Sequence, residues 1–150
     1  MRFEYTGIIS SAPDTGDAIA VFRPEVRIIV HGPKGHAIFR ALVDTGSDNT
    51  IFPARVARDL GIAVQQATGP AMEAFGGHRI TMSFAYVDLQ WIHAEDDLRW
   101  LAHVYFASTG EEQETAILGQ DGFLEFFTAK FIGDEFALEL ETNNYLPKRP

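Results

Sequence analysis

The 150-residue sequence contains no cysteine, which excludes disulfide staples and thiolate metal sites and leaves the redox compartment unread. It is short of positive charge: 12 Lys and Arg stand against 21 Asp and Glu, for a formal net charge of -9. That balance argues against a phosphate-binding surface, and the basic residues form no run. No apolar stretch approaches the roughly 20 residues that cross a bilayer. The opening MRFEYTGIISSAPDTG places polar residues where a signal peptide needs an unbroken apolar core. The expectation is a soluble, acidic, cytoplasmic single domain over 1–150, with no nucleic-acid or membrane partner and one core spanning about residues 18–140.

What is present is a series of short β-branched and aromatic runs divided by turn residues. AIAVF (18–22), VRIIVHG (26–32) and HAIFRALV (36–43) read as strands, the last two joined at Gly32-Pro33-Lys34-Gly35. PARVARDLG reads as a short helix opened by Pro53 and ended by Gly61. IAVQQ (62–66), 79–92, 99–108 and TAILG (115–119) follow as strands, then QDGFLEFF as a short helix. AKFIGDEFALEL (129–140) closes as a hairpin, and the tail ETNNYLPKRP is expected to fray or to dock on a partner. Many strands with two short helices define a mostly-β barrel or sandwich. ALVDTG and AILGQD echo one another, each an apolar strand running into a glycine turn with a helical segment after it.

Asp-Thr-Gly occurs twice, at 14–16 and at 44–46. The first copy lies among Ser, Ala, Pro and Asp, the composition of a surface turn in which the carboxylate faces water. The second follows the apolar run Ala37–Val43 and precedes Ser47 and then Thr50-Ile51-Phe52-Pro53. A carboxylate at the end of a buried strand must be satisfied by hydrogen bonds, and acids and bases are tuned in such settings. Gly46 permits close backbone approach, and Thr45 and Ser47 supply hydroxyls to orient the acid. The second copy is the functional candidate.

ALVDTGSDNTIFP resembles the active-site segment of the retropepsin-like (retroviral-type) aspartic proteases, an apolar pair followed by Asp-Thr-Gly and then Ser or Ala. Ala74-Phe75-Gly76-Gly77 is similar to the glycine-rich tip of that family's flap, and Ile117-Leu118-Gly119 to the segment that packs beneath the active-site loop. The likeness runs over about residues 20–140 and implies a single-domain cellular member with the acid-protease half-fold, a closed β-barrel with one or two short helices. Aspartic proteolysis uses two carboxylates sharing one proton, one acting as base on water and the other as acid on the scissile carbonyl. With one suitable Asp per chain, the resemblance implies a homodimer with Asp44 of each subunit on the axis. It further implies that Asp44 is acid and base, that Thr45 bonds across the axis and that Gly46 admits the substrate backbone. Ser47 would donate to the outer oxygen of Asp44, Asp48 would stand beside the substrate, and Phe75, Gly76 and Gly77 would close over the peptide as a lid. The family often has Arg after Ile-Leu-Gly, paired with an acid after Asp-Thr-Gly. Here Gln120 takes that place opposite Asp48, so the pair is absent or rebuilt with Arg55 or Arg58.

His31, His36, His78, His93 and His103 form neither HExxH nor a tight cluster, so neither a metal nor a cofactor is called for. Trp91, Trp100, Tyr105 and Phe106 fall on strands and read as core. Two functions follow: an aspartic endopeptidase acting on a peptide or protein substrate, or a catalytically weak or inactive retropepsin-like domain used for peptide binding or dimerisation.

Overall fold

The computed structural model describes residues 1–69, 72–73, 79–93, 97–108 and 116–147, with the side chains of 72, 73 and 79 left out. Thirteen strands run in chain order: β1 Arg2–Glu4, β2 Thr6–Ser11, β3 Ala18–Arg23, β4 Glu25–Gly32, β5 Gly35–Val43, β6 Ile51–Pro53, β7 Gln65–Gln66, β8 Met72–Glu73, β9 Arg79–Trp91, β10 Arg99–Ser108, β11 Ala116–Leu118, β12 Phe127–Ile132 and β13 Ala137–Thr142. One helix, α1 (Ala54–Leu60), follows β6, and a 3-10 turn (Leu124–Phe126) precedes β12.

Six strands close a barrel in the order β10-β6-β11-β5-β4-β9, with β9 pairing back onto β10. Two of its contacts are parallel, β6 with β10 and β11 with β5. The period of two that sets strand faces is plain in β10, where Trp100, Ala102, Val104 and Phe106 point inward and are buried. Val26, Ile28 and Val30 of β4 and Val87, Leu89 and Trp91 of β9 fill the same interior. Phe127 lies between the two tryptophans, 4.9 Å from the Trp91 ring and 5.5 Å from Trp100, and so joins the barrel to the sheet β1-β13-β12. Arg2 ties β1 to that sheet from outside, its guanidinium donating to Glu135 at 2.7 Å.

The helix is too short to stand by propensity alone, and its buried face of Val56, Ala57 and Leu60 holds it. Gly61 ends it in the left-handed region at φ 66°, where a side chain would be strained, and its N–H returns to the carbonyls of Ala57 and Arg58.

The expected mostly-β barrel stands, with three changes of detail. Residues 2–4 and 6–11, outside the strands that the sequence pattern marks, form β1 and β2. The strand at 62–66 shrinks to Gln65–Gln66, and the helix expected in QDGFLEFF is a single 3-10 turn, with Phe123, Leu124 and Phe126 all buried. As far as residue 147 the tail makes contacts within its own chain. Asn143 donates its backbone N–H to Phe126 O (3.0 Å) and its amide to Glu125 O (2.9 Å), and Leu146 packs on the core. Among the described residues no helix is long and apolar enough to cross a membrane.

Phe52, fully buried between Phe39 and Phe106, seats β6 against the interior. Phe52→Ala is expected to cost about 3–5 kcal/mol, read from urea unfolding followed by the emission of Trp91 and Trp100.

Candidate functional site

β5 carries Ala41 and Val43 into the core and delivers Asp44 at its end. The Asp44 N–H donates to Leu118 O of β11 at 3.0 Å, so the residue is held by a neighbouring strand rather than by its own loop. Its carboxylate turns back on the loop, with Oδ1 accepting the Gly46 N–H at 2.9 Å, while Ser47 N–H donates to Asp44 O at 3.2 Å. The result is a tight turn with Asp44 half-buried and Thr45 and Gly46 exposed.

A second segment supports this turn from beneath. β11 lies parallel to β5, Ile117 opposite Leu42 and Leu118 opposite Val43. Beyond it, Gln120 N–H donates to Ser47 O and Asp121 N–H to Asp48 O, both at 2.9 Å, and Thr50 N–H donates to Asp121 O at 3.1 Å. Residues 47–50 and 119–121 are therefore joined backbone to backbone. Gly119 allows it: a Cβ there would lie 2.3 Å from Asn49 O and 2.7 Å from Ser47 O. The echo between ALVDTG and AILGQD is thus a physical adjacency, the two segments lying side by side.

Asp44, Thr45, Gly46, Ser47 and Asp48 share one loop, but two expected roles do not appear in the single chain. Ser47 Oγ donates to Asn49 O at 2.7 Å, and a hydroxyl has one proton to give, so it does not donate to Asp44. Asp48 makes no ion pair with Arg55 or Arg58 among the described residues; Arg58 pairs instead with Asp59 at 3.1 Å. Gln120, in the position expected to hold Arg, donates its side-chain amide to Thr45 O at 3.2 Å. A neutral side chain thus steadies the loop within one subunit. Phe75, Gly76, Gly77 and His78 lie outside the described residues; β8, just before them, pairs with the start of β9 (Met72 with Ile80, Glu73 with Arg79).

Thr50 has a role that the sequence does not assign it. It is fully buried, and its Oγ1 accepts the Gly119 N–H at 3.2 Å, linking the two segments through a side chain. A lone threonine directly before the apolar Ile51-Phe52 was the available signal. Beside it, His103 Nδ1 and Asp121 Oδ2 are 2.7 Å apart, with Tyr86 and Tyr105 against the imidazole. The first Asp-Thr-Gly has no such framework. Asp14 Oδ1 accepts the Thr15 N–H at 2.8 Å in an exposed turn, as its composition suggested. Among the described residues no three His, Asp or Glu gather closely enough to hold a metal ion.

The site so defined is a fixed carboxylate at the end of a barrel strand, on a loop open on one side. No family model and no curated protein matches the sequence. Among solved structures the chain is similar to EIAV protease complexed with the inhibitor HBY-793, at 15% identity and a TM-score of 0.43, over 65% of this chain and 82% of that one.

Gly119→Ala pushes a methyl group into backbone that cannot yield, whereas a Cβ at Gly46 meets only the Asp44 carboxylate, at 3.2 Å. Gly119→Ala is expected to destabilise the fold by about 3 kcal/mol or more, and Gly46→Ala by less than about 1 kcal/mol. Paired urea titrations measure the difference.

Proposed function

We propose that this chain is an aspartic endopeptidase of the retropepsin-like kind, active as a homodimer in which the Asp44 carboxylates of two copies meet. The observation that carries this reading is the placing of Asp44: the residue ends a barrel strand whose last inward residues, Ala41 and Val43, are buried, is held by Leu118 O and presents its carboxylate beside two exposed residues. A surface aspartate needs none of this support, whereas a catalytic carboxylate must keep its geometry through the reaction.

In that dimer one carboxyl is protonated and its twin is ionised, since like charges about 3 Å apart cannot both ionise. The ionised oxygen takes a proton from water, and the hydroxide formed attacks the scissile carbonyl carbon. The protonated carboxyl donates to the carbonyl oxygen. Collapse of the tetrahedral adduct breaks the C–N bond as a proton passes to the leaving nitrogen. The Gly46 N–H fixes the rotation of the carboxylate through Oδ1, and the absence of a side chain at Gly46 leaves room for an extended peptide. Thr45, exposed and with its carbonyl held by Gln120, would bond across the axis through its hydroxyl. Ser47 and Asp48 would line the floor of the cleft; the lid that the family resemblance assigns to Phe75, Gly76 and Gly77 falls outside the described residues. Substrates are peptides or proteins with apolar side chains, in keeping with half-buried Ile51 nearby.

Purified protein incubated with a mixed peptide library between about pH 4 and pH 7 is expected to cleave. Asp44→Asn, which keeps the shape but removes the shared proton, is expected to fall to background, and Asp14→Asn to keep wild-type rates. A dimeric wild type that cleaves nothing would instead leave peptide binding or dimerisation as the role of the fold.

A further inference from the structure

The barrel does not account for the N-terminal hairpin. Among the described residues, β2 and β3 pair only with each other. A lone two-stranded ribbon is marginal in water, yet this one carries apolar side chains on both faces. Ile8, Ile19 and Val21 share one face, and Ile9, Ala18, Ala20 and Phe22 the other. Ile9 is 78% exposed, Phe22 45% and Ile19 37%. The strands hold no charge before Arg23, so their free edges lack the lysine or proline that commonly guards an edge.

The hairpin is nevertheless well directed. At its tip, Ala12 and Asp17 are joined at 2.8 Å, as are Gly16 and Ala12. At its root, Phe22 stacks on Phe136 at 4.5 Å, and Phe136 holds a left-handed φ of 48°, costly for a bulky residue. Immediately after the hairpin, Pro24 O accepts the Val43 N–H at 2.9 Å and Glu25 pairs with Leu42. The arm therefore enters β4 beside the end of β5, the strand that carries Asp44.

We infer that this hairpin is a dimerisation arm that seats on a second copy of the chain. The inference rests on the dimeric reading of Asp44. An axis passing beside Asp44 brings the root of each arm next to the partner subunit, because the start of β4 and the end of β5 lie side by side. Charge favours the same occupant. Asp14 and Asp17 are exposed at the tip, while Arg27 and Arg40 face each other across β4 and β5, exposed and without a carboxylate partner among the described residues. Such a like-charge pair is unfavourable until an acidic group joins it.

Sedimentation equilibrium on wild type, Asp44→Asn, the double variant Ile9→Lys with Ile19→Lys, and the double variant Asp14→Arg with Asp17→Arg tests the arm. Wild type and Asp44→Asn are expected to dimerise alike. The apolar variant is expected to raise the dimer dissociation constant at least about a hundredfold, with near-UV circular dichroism of the tryptophans unchanged. The charge variant, which leaves the strands intact, is expected to raise it about tenfold at low salt and less at high salt. Hairpin variants that dimerise like wild type overturn the inference. So does a wild type that stays monomeric at high concentration, which would assign the hairpin to a different partner. A dimer that needs the hairpin but cleaves no peptide keeps the arm and removes the protease reading; a cleaving dimer indifferent to the hairpin does the reverse.

Discussion

The backbone ladder between residues 47–50 and 119–121 is the constraint on which the site depends. Four short contacts across it, including the one Thr50 makes through its side chain, convert a loop that would otherwise be a surface turn into part of the barrel wall. Buried peptide groups must find partners, and here each segment supplies the partners of the other. The absent side chain of Gly119 sets how closely the two approach, and that spacing sets where Asp44 stands.

The two Asp-Thr-Gly copies show how little a tripeptide means without such a setting. Both have a glycine two residues after the acid, and in both Oδ1 accepts a nearby backbone N–H. They differ in what lies behind them. Residues 14–16 have only their own turn, whereas residues 44–46 have two barrel strands and a buried threonine. Flanking apolar periodicity made that difference legible from sequence, because a strand buried on one side must deliver its last residue to a fixed place.

Other features were less legible for physical reasons. The strands at 18–22, 26–32, 36–43 and 99–108 were plain because alternation and β-branched residues agree there. β2 was hidden because the residue types of Thr6-Gly7-Ile8-Ile9-Ser10-Ser11 do not alternate, although its burial does, with Thr6, Ile8 and Ser10 half-buried. The helix after Gly119 was overread, since its apolar residues are spent in burying a single turn. Gln120 looked like the loss of an ion pair, and only the geometry shows its amide on Thr45 O. The hydroxyl of Ser47 had several acceptors within reach of its sequence position, and no local rule chooses Asn49 O among them.

The ladder joins parts of the chain about seventy residues apart, which bears on the order in which the molecule is made. Until Leu118 through Asp121 have emerged and threaded beside β5, Asp44 lacks the carbonyl that holds it, and Ser47 and Asp48 have carbonyls with nothing to accept from. Contacts between such distant segments are slow to form, because closing the long intervening chain costs entropy before the contacts offset it. The acid is thus assembled only when nearly the whole domain has folded, and a nascent or clipped chain carries Asp-Thr-Gly without the geometry that gives it meaning.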